Sequence, residues 1–112
     1  MARIPVVTVP SLEGARVTEY LGIVSGHAIL GANLFRDFTA RVRDKIGGRS
    51  EGYEKELRHA EELALEEVEA EAIKRGAHAV IGLTIDYEPI AASGSLLMCA
   101  VAGTAVRLER IG

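Results

Sequence analysis

The chain reads as an α+β domain in two layers, an antiparallel sheet backed by two helices in the order β-β-α-α-β-β. Three observations predict this class. Residues 96–108, Leu-Leu-Met-Cys-Ala-Val-Ala-Gly-Thr-Ala-Val-Arg-Leu, form a strand pattern that is apolar on both alternate faces. Residues 79–88 alternate apolar and polar, and two segments between 34 and 75 repeat their apolar residues every three or four positions. A strand apolar on both faces needs cover on both faces. In 112 residues that implies one face on the protein's own helices and the other on a neighbouring subunit.

The N-terminal run Ile4–Val9 is β-branched but contains Pro5 and is followed by Pro10. Proline cannot donate to a ladder, so the run predicts an edge strand or an arm on a neighbour. Pro10-Ser11-Leu12-Glu13-Gly14 is a turn, and Arg16–Gly31 is extended, interrupted by Gly22, Gly26 and Gly31. Such glycines mark bulges, bends or close backbone approach.

Asn33 suits the N-cap of a helix from Leu34 to Ile46. Leu34, Phe38, Val42 and Ile46 make its apolar stripe, and its charged residues leave it at +2. Gly47-Gly48 ends it. Ser50 then caps a longer helix running to about Arg75, with Tyr53, Leu57, Ala60, Ala64, Val68 and Ala72 as its apolar face, widened by Leu63 and Ile73. Nine glutamates against four cations leave residues 51–75 at −5, the pattern of a solvated helix face. Gly76 stops this helix. In residues 79–88, Ile81, Leu83, Ile85 and Tyr87 share one face, and Gly82, Thr84, Asp86 and Glu88 the other. The loop 89–95 is too short for a parallel crossover, so residues 96–108 return antiparallel.

Composition narrows the function classes. A net charge of −3 supplies no basic field for nucleic acid. No apolar run approaches the roughly 20 residues of a membrane span, and the first residues lack the apolar core of a signal peptide. One cysteine, Cys99, excludes an intrachain disulfide and suits a reducing cytoplasm. The expectation is a cytoplasmic protein partnered by itself, with no nucleic acid and no membrane.

The candidate chemistry is sparse. His27, His59, His78 and Cys99 show none of the close spacings of a zinc motif. A lone His27 or Cys99 would converge with its copies only around a symmetry axis. Asp86 and Glu88, two apart on one strand face, suit ion pairs with arginines across a subunit boundary. A hard cation or an acid–base pair is the alternative. Gly47-Gly48-Arg49-Ser50 leads into a helix N-terminus, where Arg49 and Ser50 would meet an anion or one of those carboxylates. These four residues, Arg49, Ser50, Asp86 and Glu88, are the candidate ligand-binding set. The leading expectation is a non-enzymatic ring protein binding a small ligand or metal at subunit contacts. The alternative is a metal-dependent or acid–base enzyme using Asp86 and Glu88 with Arg49.

Several segments together carry a family likeness. Glu19-Tyr20-Leu21-Gly22-Ile23-Val24-Ser25-Gly26, then Gly31-Ala32-Asn33-Leu34-Phe35-Arg36-Asp37, resemble the opening of the YbjQ-like family. Gly47-Gly48-Arg49-Ser50 with Tyr53-Glu54-Lys55-Glu56-Leu57 continue it, as do Gly76-Ala77, Ala79-Val80-Ile81-Gly82 and Asp86-Tyr87-Glu88. Gly94-Ser95, Leu97-Met98 and Gly103-Thr104-Ala105-Val106 complete it. The resemblance spans nearly the whole chain. It implies a dodecin-like subunit whose strands meet at subunit contacts in a ring, a homopentamer. It also carries the label of a heavy-metal-binding domain of unassigned function, which no residue set in this sequence turns into a ligand set.

Overall fold

A computed structural model of the chain describes residues 3–30, 51–90 and 96–111. Its elements are β1 (Ala15–Leu30), α1 (Glu51–Lys74), β2 (Ala79–Pro89) and β3 (Leu97–Arg110). The strands form one antiparallel sheet in the order β1-β3-β2, and α1 lies across one face, mainly over β1 and β3. The α+β class and the antiparallel return of the last strand hold. The expected helix over 34–46 lies outside the described residues, as do Arg49 and Ser50.

The sheet has three strands where the sequence predicts four. Residues 4–9 make a single parallel bridge, Val6 to Val80, on the outer edge of β2. The Val7 N–H donates to the Val80 carbonyl at 2.9 Å, and the Val80 N–H to the Pro5 carbonyl at 2.9 Å. Pro5 accepts there but has no N–H to give, and past the bridge the pairing goes on irregularly, the Leu83 N–H donating to the Val7 carbonyl at 3.0 Å and the Gly82 N–H to the Val9 carbonyl at 2.9 Å. The segment still blunts the edge of β2, and it wraps round it. Ile4 and Val6 pack beneath the helix, while Val7 and Leu12 pack on the opposite face around Ala79, Ile81 and Val106.

The doubly apolar strand is β3, and it takes the centre. Its odd-numbered residues face α1: Cys99, Val101 and Ala105 are buried against Ala60, Ala64, Val68 and Ala72 of the helix. Those small helix residues allow the layers to approach until Gly26 of β1 meets the Ala64 backbone. The helix ends in a Schellman motif. Gly76 stands at φ +80°, its N–H donates to the Ile73 carbonyl at 2.9 Å, and the Ala77 N–H to the Ala72 carbonyl at 3.0 Å. Two details differ from the sequence pattern. Leu63 is 43% exposed beside β1, and Leu65 packs against the core instead.

The clean alternation read over 79–88 is broken at Gly82. A register shift between Ile81 and Thr84 puts Gly82 at φ +61°, a backbone state that glycine adopts freely. Side chains change face across this bulge. Val80, Leu83 and Tyr87 therefore join the core under the helix, while Ile81 packs on the other side with Val106. No described helix is long and apolar enough to cross a membrane.

Candidate functional site

The even-numbered residues of β3 point away from α1, and residues directly opposite in an antiparallel pair share a face. The register therefore writes this second face in rows. Ile29, Met98 and Glu88 form one row, His27, Ala100 and Asp86 the next, then Ser25, Ala102 and Thr84, then Ile23, Thr104 and Ile81. The central column, Met98, Ala100, Ala102 and Thr104, is half-buried. Tyr20, Ile23 and Ile29 along β1 are 71%, 73% and 58% exposed. Three large apolar side chains in one strip of an open sheet are an unusual surface for an isolated subunit.

The sequence hides this strip, because the glycines of β1 leave it without a clean apolar alternation. Gly26 held the signal. A glycine that must lie against the helix fixes Gly22, Val24, Gly26, Ala28 and Leu30 as the helix side, and leaves Ile23, Ser25, His27 and Ile29 outward.

Asp86 and Glu88 lie on the open face as expected, both exposed, flanking the β3 column opposite His27 and Ile29. With strands about 4.8 Å apart, His27 and Asp86 stand about 10 Å apart at Cα, across Ala100. The Asp86 carboxylate accepts the Tyr87 N–H at 3.1 Å. Of the other three soft-ligand residues only His59 lies near His27, the two lining one groove between β1 and α1. His59 is exposed on α1. His78 accepts the Leu108 N–H on Nδ1 at 2.8 Å, while its own N–H donates to the Val106 carbonyl at 2.8 Å. The ring thereby continues the β2–β3 ladder one step before the start of β2.

Cys99 is buried completely under the helix, directly opposite Tyr87. Burial pushes its thiol above the ordinary value, opposed by the Tyr87 hydroxyl and aided by the Glu61 carboxylate. Tyr87 is driven upward as well, by burial first and then by Glu61. Its hydroxyl is buried with no partner at hydrogen-bonding geometry. The thiol therefore stays protonated at neutral pH and is neither a nucleophile nor a ready metal ligand.

A family model described as "putative heavy-metal-binding" matches residues 4–109. The chain belongs to the YbjQ family. A crystal structure of a protein of unknown function from Pediococcus pentosaceus, of the DUF74 family, is similar at 13% identity with a TM-score of 0.51. The match covers 95% of this chain and 98% of that one. At that identity the likeness concerns the fold.

The metal in the family's description can be tested against the donors of this YbjQ domain. Every histidine and the cysteine lie in described segments. His27 and His59 both line the groove between β1 and α1, His78 lies in the β2–β3 ladder, and Cys99 lies in the buried layer. Among the described residues no three His, Cys, Asp or Glu side chains gather into a metal-holding group. The soft donors therefore do not fit a closed site within one subunit.

Proposed function

We propose that this YbjQ domain is the subunit of a homo-oligomeric ring, assembled through the open sheet face. The observation that carries the reading is the exposed strip of Tyr20, Ile23 and Ile29 beside the small-residue column Ala100–Ala102. Small residues let a second surface approach closely, and large apolar neighbours contribute burial at roughly 25 cal/mol per Å². The sequence of β3, apolar on both faces, independently asks for the same cover. Five copies is the number the family resemblance implies. In such a ring His27, Asp86 and Glu88 stand at subunit contacts, the place for a small ligand or a cation. The donors that one subunit lacks are then supplied by repetition around the axis.

Replacement of Ile23 by Asp tests this. Ile23 makes no part of the subunit's own core, so the variant keeps its helical circular dichroism. Its mass by light scattering falls to that of the single chain. A variant that retains the parent's mass removes the open face from the assembly.

A further inference from the structure

Residues 5–9 lie along the outer edge of β2, whereas no described strand covers the outer edge of β1. We propose that Glu67 and Arg75 of α1 guard this β1 edge against pairing with β1 of a second copy. The inference stands apart from assembly through the open face, which uses side chains and not this backbone edge.

The bond directions show what the edge presents. Backbone N–H and C=O groups of successive residues point to opposite sides of a strand. The His27 N–H points away from β3, because it donates to the Glu67 carboxylate of α1 at 2.7 Å. Pairing with β3 runs without a register shift from Gly22 to Leu30. The backbone groups of Ile23, Ser25 and Ile29 therefore point outward with those of His27. The Leu21 carbonyl does the same and accepts Arg75 Nη1 at 2.9 Å. Left bare, residues 21–29 would offer a pairing edge longer than the roughly five or six residues of an ordinary strand. Such an edge is a template for another chain. Every copy carries it, and two copies can meet there about a two-fold axis.

The helix interrupts the edge at two points. Glu67, Glu71 and Arg75 follow one another at four-residue spacing and so line one side of α1, the side along β1. Arg75 Nε also donates to Glu71 Oε1 at 3.3 Å, which steadies the guanidinium over Leu21. Gly22 makes room for it. Its φ is +96°, and a Cβ there would stand 3.2 Å from Arg75 Nη1. The two caps leave Ile23 and Ser25 as the outward residues between them, too few for a stable added strand. A longer pairing has to displace a carboxylate or a guanidinium from its bond. Charged groups placed along an edge are a general means of keeping strands of different copies apart.

Light scattering and amide hydrogen exchange on the full chain test the proposal. In the parent, the Ile23, Ser25 and Ile29 amides should exchange as open backbone, while His27 is protected. Glu67→Ala with Arg75→Ala should keep the helical circular dichroism, raise the scattering mass several-fold above the parent's, and bring protection to those three amides. Glu67→Gln with Arg75→Lys keeps an acceptor at His27 and a donor at Leu21, and should stay at the parent's mass. A folded double-alanine variant of the parent's mass overturns the proposal. Growth without protection of the three amides overturns it too, as does a parent already protected there, whose edge would be occupied. Should the double variant lose its helical signal, Glu67→Ala alone, which gives up one exposed bond, is read in the same way. The comparison is always with the parent's own mass, single chain or ring, so this test and that of the assembly reading fail separately.

Discussion

Gly26 of β1 and Ala64 of α1 meet backbone to backbone: a methyl group on Gly26 would overlap the Ala64 carbonyl oxygen and crowd the Glu67 Cβ. Glycine is needed at this position for space, since its φ is not positive. The contact sets the spacing between helix and sheet, and so decides which residues of β1 turn inward and which remain on the open face.

Gly26→Ala should therefore destabilise the fold by about 2–3 kcal/mol, as overpacking of a close interface does. Urea unfolding followed by circular dichroism measures it. Gly26→Asn should be worse, since a larger side chain meets the same wall.

Gly82 offers the opposite case. Nothing lies within 4 Å of a Cβ built there, and its φ is +61°. Gly82→Ala should cost about 1–2 kcal/mol from the left-handed backbone alone. Gly82→Asn should cost less than Gly82→Ala, since asparagine tolerates that region. An order of effects equal to that at Gly26 would contradict the assignment of two different causes.

His78→Ala removes the acceptor for the Leu108 N–H and should cost about 0.5–1.5 kcal/mol. Amide hydrogen exchange reads it locally. Leu108 should lose protection, while residues in the middle of β3 keep theirs. His78→Asn, which can offer an oxygen, should restore part of that protection.

Alkaline pH should weaken the fold through Cys99 and Tyr87. Both titrate higher in the folded chain than their ordinary values of 9.0 and 10.0. The unfolded chain therefore releases these protons first. Their contribution is whole below about pH 8.5 and fades as pH rises through 9 and then 10. Urea midpoints between pH 7 and 10.5 should fall over that window, and Cys99→Ala should flatten the first part. The thiol should also react with a disulfide reagent only at the rate of unfolding.

Much of this architecture is written in the sequence. The helix from about residue 50 to 75, the antiparallel pair of final strands and the two-sided demand of β3 follow from apolar period and short loops alone. The wrapping of residues 4–9 does not, because a β-branched run with a proline fits a full edge strand as readily as a single bridge. The bulge at Gly82 also hides, since Ile81, Leu83, Ile85 and Tyr87 keep a perfect period of two across it. Of the candidate ligand-binding set, Asp86 and Glu88 stand on the face the alternation assigns, while Arg49 and Ser50 lie outside the described residues. Tyr20 and Ile23, the exposed residues that best mark the assembly surface, are ordinary strand formers in sequence. Only the register of β1 against β3 separates them from Val24.

The mass of the unmodified protein in solution tests the central claim most directly. Sedimentation equilibrium across micromolar concentrations should give a constant integral multiple of the 12.0 kDa subunit, with five as the expected number. A single species of 12.0 kDa at those concentrations would contradict it, because the strip of Tyr20, Ile23 and Ile29 would then be an apolar surface that the protein leaves in water.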